Sequence, residues 1–461
     1  MLVSHAYLCY NIICMNIYKI NAEMCAMKRL IAMLSICLLV LSGCGSDLPS
    51  DMYALPEMPE SHSALIKTVE FVRGGGYEFS EPRSGINRQP IQLMDLDGDG
   101  EEEGLAFLRD VADSYKTFIY IFEKSRYGFE LFDIIEGSEN EIYTVSYSDV
   151  LDDRGYEIIV EWGKSGDENR PVTVYNMASE NMGKLLDISA MQYSVSDIDG
   201  DGKNEFLAVV GNGKQTIAEI YSFTDDEIEN CTKLPLLKNS GKLLRIRAGN
   251  ISDGVGGVFI ERECESGILT EIISHDGEKF ISLLSDGSIC RAYALCADIN
   301  SDGVTELPQI SAPDSTGTGG TFLWYRADTE GRLGLSAFTY HDFNSSWYVM
   351  LPTAWSSSVM AERKVVSSAE TSVRFFSREV LGGDSEQYIE VPLFRIIILS
   401  GANRQSAAAR EGRIIISERD DVIFAAEITS ESYLSTAINE AFIKEIFRIR
   451  ESEWASDILF A

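Results

Sequence analysis

Histidine, tryptophan and basic residues are scarce in this sequence. The 461 residues include 4 His and 5 Trp, and 39 Lys and Arg stand against 72 Asp and Glu. The net charge of −33 repels phosphate backbones and anionic lipid headgroups, so we expect no nucleic-acid partner. The acidic balance instead suits the binding of cations.

Familiar catalytic motifs are missing as well. The sequence contains no HExxH pair, no GxSxG elbow and no GxxxxGK[ST] loop, the patterns of zinc peptidases, α/β-hydrolases and P-loop NTPases. His62, His275 and His341 stand at no metal-ligand spacing. These absences predict a binding or scaffolding protein that is not an enzyme.

Cysteine is also sparse beyond residue 44. Cys231, Cys264, Cys290 and Cys296 match no zinc or redox spacing. Buried single thiols are the expected state, and a disulfide between Cys290 and Cys296 stays open.

One long apolar run is present near the N-terminus. It covers Leu30 to Leu41, follows Lys28 and Arg29, and is too short to span a bilayer. It ends in Leu41-Ser42-Gly43-Cys44, which closely resembles the lipobox of bacterial lipoproteins. The resemblance implies that Cys44 carries a lipid and anchors the chain on the extracellular face of the bacterial cell membrane.

We therefore expect residues 1–43 to be a signal region. The lipoprotein signal itself covers 27–43, and residues 1–26 upstream are expected not to be translated. Residues 44–62 are polar, contain three Pro and predict a tether.

An acidic segment recurs along the chain. Asp95–Glu103, Asp197–Glu205 and Asp298–Glu306 align without gaps, and their starts lie 102 and 101 residues apart. Degenerate copies at 149–157 and 249–257 halve that spacing, so the unit is about 50 residues long. Short runs of Val, Ile, Tyr, Phe and Leu between Gly, Asp, Asn and Ser clusters predict four strands per unit.

Such a unit is typical of a propeller blade. We predict an all-β fold, with a β-propeller of about five to seven four-stranded blades over residues 63–348. Residues 64–94 are expected to supply one or two strands that pair with the last blade and close the ring.

The acidic segments have the ligand spacing of a calcium loop. Positions 1, 3 and 5 are acidic or amide, position 6 is Gly, position 7 offers its backbone carbonyl, and position 9 is Glu. Crowded carboxylates repel one another without a cation, and all-oxygen ligands favour calcium over magnesium. The predicted metal ligands are Asp95, Asp97, Asp99, Glu101, Glu103, Asp197, Asp199, Asp201, Lys203, Glu205, Asp298, Asn300, Asp302, Val304 and Glu306.

The segments differ from an EF-hand, which has its bidentate Glu at position 12 and flanking helices. With strands around it, D-x-D-G-D-G-x-x-E resembles the FG-GAP repeats of integrin alpha-chain propellers and of bacterial VCBS-type proteins. That resemblance implies a calcium-binding hairpin in each blade. Asn300 and Ser301 make the segment at 298 the weakest site, and those at 149 and 249 are expected to bind nothing.

The acidic-loop register is lost after about residue 350. Residues 349–461 predict a smaller α+β domain, whereas the alternative adds blades from 350–425 with a helix packed outside. The expected strands lie at 365–366, 373–376, 393–399 and 413–416, and the expected helices at 402–411 and at 438–454, the latter capped by Ser435 or Thr436.

Taken together, the sequence predicts a monomeric, calcium-stabilised surface lipoprotein that recognises a protein or glycan. One alternative is an extracellular hydrolase with its active site at the propeller centre or in the C-terminal domain. Another is an architectural spacer without a ligand.

Replacing Cys44 with Ala should release the protein from membranes, because the lipid would have no attachment point. Fractionation of cells that express the two forms measures this. A variant that stays in the membrane fraction contradicts lipid anchoring, and Cys264→Ala, beyond the signal, serves as the matched control.

Overall fold

The computed structural model describes residues 60–74, 76–113, 116–163, 169–178, 180–211, 215–224, 227–238, 241–291, 294–313, 318–343, 347–380, 388–419, 421–429, 432–433 and 436–449. The predicted signal region, Cys44 and nearly all of the tether lie outside these residues. Residues from Ala64 onward belong to one compact unit. Within the described part, no helix is long and apolar enough to cross a membrane.

Nearly all of the regular structure consists of antiparallel sheets, which follow one another along the chain. The first sheet contains β1 (Tyr77–Phe79), β2 (Ile91–Met94), β3 (Glu103–Asp110), β4 (Thr117–Ser125) and β5 (Gly128–Glu136). The second contains β6 (Ile142–Ser148), β7 (Glu157–Trp162), β8 (Arg170–Met177) and β9 (Met182–Ala190). The third contains β10 (Gln192–Ser196), β11 (Glu205–Gly211), β12 (Thr216–Thr224) and β13 (Glu227–Pro235).

Three more sheets follow. The fourth contains β14 (Leu243–Ser252), β15 (Val255–Cys264), β16 (Gly267–His275), β17 (Phe280–Ser282) and β18 (Ser288–Cys290). The fifth contains β19 (Leu307–Pro313), β20 (Gly319–Ala327), β21 (Leu333–Asp342) and β22 (Trp347–Leu351). The sixth contains β23 (Val359–Ser367), β24 (Glu370–Val380), β25 (Tyr388–Ser400), β26 (Arg413–Glu418) and β27 (Val422–Ile428).

The remaining elements are short. They are helices α1 (Glu60–Arg73), α2 (Arg404–Ala408) and α3 (Glu440–Ile446), a 3₁₀ turn (Thr353–Trp355), the two-stranded pair β28 (Ser432–Tyr433) and β29 (Thr436–Ala437), and β30 (Phe447–Ile449). β30 pairs with β22 and adds a fifth strand to the fifth sheet. The prediction of an all-β, propeller-type fold is confirmed, and among the described residues the second and third sheets have four strands while the other four main sheets have five.

Successive sheets pack face to face through shared hydrophobic clusters. Leu105 and Phe107 of β3 pack with Ile158 and Trp162 of β7, which joins the first and second sheets. Similar clusters join the second to the third sheet, the third to the fourth, the fourth to the fifth and the fifth to the sixth. Each sheet therefore buries both faces, which explains the dense apolar runs in its central strands.

Hydrogen bonds link the first strands of neighbouring sheets. Tyr147 of β6 donates to Gln92 of β2 over 2.5 Å, and Ile246 N of β14 donates to Gln192 of β10 over 3.0 Å. Ser146 and Tyr193 share a 2.5 Å hydrogen bond between β6 and β10. Strands β2, β6, β10 and β14 thus lie side by side in the first four sheets, as blades around a common centre require.

Short helices cover the outward faces at the two ends of the series. Leu65 and Val69 of α1 pack on the face of the first sheet that points away from the second. Ala408 of α2 packs on Ile397 and Ile423 of the sixth sheet. The prediction that residues 64–94 pair with the last blade is wrong, because β1 and β2 both pair with β3 of the first sheet.

The C-terminal segment is continuous with the fifth sheet. The expected boundary between 348 and 349 falls inside β22, and the sixth sheet shares one hydrophobic cluster with the fifth sheet and α3. The helix expected at 438–454 is shorter, since Phe447 leaves it to pair in β30. Asn439 caps α3 by accepting from Phe442 N over 3.0 Å, which corrects the expected cap at Ser435 or Thr436.

Candidate metal centre

The acidic segments occupy the same place in four sheets. The Asp95 loop (95–103) joins β2 to β3, the Asp149 loop (149–157) joins β6 to β7, and the Asp197 loop (197–205) joins β10 to β11. The Asp298 loop (298–306) leads into β19, after an antiparallel bridge between Ala297 and Glu306. Strands, and no helices, flank these loops, which sets them apart from EF-hands.

The backbone repeats in all four loops, even where the side chains differ. Positions 4 and 6 have positive φ, which glycine adopts freely and other residues adopt at a cost. Glycine fills both positions of the Asp95 and Asp197 loops. The three non-glycine residues with positive φ in the described part of the chain are Asp152 (57°), Arg154 (80°) and Ser301 (61°), all at these positions.

The glutamate at position 9 is buried and fastens each loop. Oε2 of Glu103 accepts from Leu96 N over 2.7 Å, and Oε2 of Glu205 accepts from Ile198 N over 2.8 Å. Glu157 accepts in the same way from Val150 N over 2.6 Å, although its loop lacks the acidic pattern. We call this contact between position 9 and the amide of position 2 the glutamate clasp.

Burial raises the pKa of these carboxyls. The pKa of Glu103, Glu157 and Glu205 rises to about 7, chiefly because burial disfavours the charged form, and because nearby aspartates are negative. The backbone amide hydrogen bond opposes the shift in each case. Sequence spacing placed Glu103 and Glu205 among the ligands but did not reveal that one oxygen of each accepts a hydrogen bond from a backbone amide.

Two of the loops bring three carboxylates together. Oxygens of Asp95, Asp97 and Asp99 lie within 4.8 Å of one another, and so do oxygens of Asp197, Asp199 and Glu205. Calcium–oxygen distances of about 2.3–2.6 Å put ligands on opposite sides of an ion about 5 Å apart. These two sets therefore fit a calcium ion, and the buried carboxylate of Glu205 joins the second.

Local hydrogen bonds orient the aspartates. Oδ1 and Oδ2 of Asp95 accept from Gly98 N and Gly100 N over 2.8 and 3.1 Å, and Asp197 repeats both contacts at 2.6 and 3.1 Å. At position 5, Asp99 and Asp201 accept from the backbone amides of Glu101 and Lys203 over 2.7 and 2.8 Å. Hydrogen bonds within each loop therefore help to hold its turn.

The other predicted segments differ. In the Asp298 loop, Asn300 Nδ2 donates to Asp302 Oδ2 over 2.9 Å, so an amide lies where a neighbouring ligand would be. The segment at 249–257 is no acidic loop, because β14 and β15 meet there in a tight hairpin around Asp253 and Gly254.

Neighbouring loops touch one another in series. A Cβ at Gly155 would lie 2.6 Å from the Leu96 carbonyl oxygen, so the Asp149 loop packs closely on the Asp95 loop. Asn204 Nδ2 donates to Asp149 O over 2.6 Å and joins the Asp197 loop to the Asp149 loop. Further along, Thr305 N donates to Asn250 O over 2.8 Å. The acidic corners therefore share one end of the fold.

The four cysteines predicted to be thiols are all thiols in the structure. Cys290 and Cys296 are buried, while Cys231 and Cys264 are half-buried. Burial raises the pKa of Cys296 well above its usual range, and Glu261 beside it acts in the same direction.

No family model and no curated protein matches the chain. Among solved structures, a post-proline cleaving enzyme from Rickettsia typhi is 11% identical, with a TM-score of 0.30, over 75% of this chain and 53% of that one. The β-propeller domain of the Trilobed protease from Pyrococcus furiosus, described as having an open velcro topology, is 12% identical, with a TM-score of 0.25, over 77% and 90%. A structure from a study of two prolyl endopeptidases is 10% identical, with a TM-score of 0.27, over 73% and 55%.

The solved structures named here are described as peptidases, so the prediction of a binding or scaffolding protein that is not an enzyme is withdrawn as contradicted. The chain spans about half the length of the Rickettsia typhi enzyme. The prediction that the protein is not an enzyme rests on missing sequence motifs. Catalytic groups can come together in the folded protein without forming a local motif. The likeness itself concerns the fold and assigns no catalytic residue here.

Replacing Glu157 with Gln should make the stability of the protein less dependent on pH. The folded protein holds the Glu157 proton more tightly than the unfolded chain does, since its pKa is about 7 instead of 4.5. Its contribution, about 3 kcal/mol, is complete below about pH 4.5 and is lost as the pH rises through about 7. Glutamine keeps the acceptor for Val150 N but does not titrate.

Urea unfolding of both forms between pH 4.5 and 8 measures this difference. Glu157→Ala is the control, because it leaves the buried amide without an acceptor and should cost about 1–3 kcal/mol. Parallel pH profiles for the wild-type protein and Glu157→Gln would show that the carboxyl does not titrate in this range.

Proposed function

We propose that this chain is a calcium-binding β-propeller protein. Ions at the Asp95 and Asp197 loops would fix the corners of the first and third sheets. The observation that carries the proposal is the convergence of three carboxylate oxygens within 4.8 Å at the same corner of two sheets. The resemblance to FG-GAP and VCBS-type repeats supports the same assignment.

Electrostatics favours an ion at these corners. Three carboxylates so close together repel one another, by about 1 kcal/mol per pair at 4.8 Å where both face water and by more where one is buried, as Glu205 is. A divalent cation replaces that repulsion with attraction, and oxygen-only ligands suit calcium. The ion would be held by Asp95, Asp97 and Asp99 in one loop, and by Asp197, Asp199 and Glu205 in the other.

We also propose that the loops lie outside the cell, which agrees with calcium binding. Extracellular calcium modules have Kd values of about 10⁻⁴–10⁻³ M, so such sites are filled outside a cell and empty in the cytosol. A lipid on Cys44 would place the loops in that environment. The ions would act on the structure, by closing the turn between β2 and β3 and the turn between β10 and β11.

Removing calcium should lower the melting temperature by several degrees, because ligand that binds only the folded state stabilises it. Differential scanning calorimetry with calcium or with a chelator measures the shift. Asp97→Asn and Asp199→Asn should each reduce it, since the amide oxygen still accepts the backbone hydrogen bond but the negative charge is gone.

The matched control is Asp152→Asn in the Asp149 loop, where we expect no ion and therefore no change in the calcium-dependent shift. A melting temperature that is the same with calcium and with chelator would remove the calcium assignment.

Hydrolase activity is the second candidate function, since the solved structures named above are described as peptidases. We expect the purified chain to cleave peptides from a panel that includes proline-containing sequences, with cleavage followed by mass spectrometry. Heat-unfolded protein is the control. Equal product from the folded and unfolded samples, or none from either, would exclude peptidase activity on that panel.

A further inference from the structure

The Asp298 loop differs from the Asp95 and Asp197 loops at position 3. That position is Asp97 or Asp199 in the other two, and Asn300 here. The carboxylates of the Asp298 loop do not form a close set of three like those of the other two loops, as far as the described residues show. Its backbone nevertheless has the same positive φ at positions 4 and 6, Ser301 and Gly303.

The side-chain amide of Asn300 donates hydrogen bonds to two neighbouring side chains. Its Nδ2 donates to Asp302 Oδ2 over 2.9 Å and to Ser336 Oγ over 3.3 Å. Its Oδ1 accepts from Asp302 N over 3.0 Å. These contacts fix the orientation of the amide, because the flipped form would place N–H against N–H and oxygen against a carboxylate.

Glu306 is likewise satisfied by the protein. Its Oε2 accepts from Ile299 N over 3.0 Å, and its Oε1 accepts from Ser336 Oγ over 2.7 Å. Glu205, at the same position of the Asp197 loop, uses Oε2 for Ile198 N and belongs to the set of close carboxylates. In the Asp298 loop, donors on Asn300 and Ser336 thus take the acceptor atoms that an ion would need.

We propose that Asn300 closes the Asp298 loop in place of a calcium ion, so that the chain binds two ions at these loops. This inference rests on the calcium sites proposed above. The amide donors do for Asp302 what a cation does for the aspartates of the other loops, at no net charge. The loop therefore keeps its shape whether or not calcium is present.

The test counts calcium ions bound to the full chain, purified in detergent, by isothermal titration calorimetry and by metal analysis after dialysis. The wild-type protein should bind two ions, and Asn300→Asp should bind three. The new carboxylate repels Asp302, so Asn300→Asp should also melt at a lower temperature than wild type in chelator and recover in calcium.

A second variant covers the case in which Asn300→Asp does not fold. Asp302→Asn should leave the count at two if the Asp298 loop holds no ion, and should lower it from three to two if it does. Asp99→Asn at the equivalent position of the Asp95 loop is the matched control, and should lower the count from two to one.

Three ions in the wild-type protein, or a folded Asn300→Asp that still binds two, would overturn this inference while leaving the calcium function in place. A wild-type protein that binds none would instead overturn the calcium function itself.

Discussion

The glutamate clasp is the contact on which the acidic corners depend. A buried carboxyl at position 9 accepts the amide hydrogen of position 2, in the Asp95, Asp149, Asp197 and Asp298 loops alike. Burying a carboxyl costs free energy unless a donor reaches it, and an unmet amide is also costly. The clasp satisfies both groups and closes the loop across the strand pair that carries it. It is present even at 149–157, where the aspartate pattern has decayed.

The sequence predicts the strands of this fold better than its helices. The fifty-residue period and the apolar runs predicted most strands well, since each sheet is covered on both faces and its central strands are apolar throughout. The sequence did not predict helix α1. Its residues Leu65 and Val69 pack on the first sheet, and this tertiary contact stabilises the helix. The last helix ended early because β22 offers Phe447 a strand to pair with. Both errors come from tertiary contacts that no local pattern contains.

The candidate site, too, could be predicted only in part from the sequence. Spacing alone identified the aspartates at positions 1, 3 and 5, since the calcium-loop turn fixes where those side chains point. Spacing does not show that one oxygen of Glu103 and one oxygen of Glu306 accept hydrogen bonds from backbone amides. Ser336 was invisible to the repeat, because it lies on β21 and reaches Glu306 from a different hairpin. The signal that the sequence did hold is Glu157, which is kept although position 3, an aspartate in the Asp95 and Asp197 loops, is Leu151.

The four loops share one backbone turn but differ in the side chains around it. The Asp95 and Asp197 loops each bring oxygens of three carboxylates within 4.8 Å of one another. The Asp149 loop has lost the close set, and the Asp298 loop supplies internal donors. Because the loops touch in series, through Gly155 against Leu96 and Asn204 on Asp149, a change at one corner reaches its neighbours through backbone contacts. On the calcium assignment proposed above, loss of the ions would loosen the first and third sheets locally, while the hydrophobic clusters between sheets would hold the rest of the fold together.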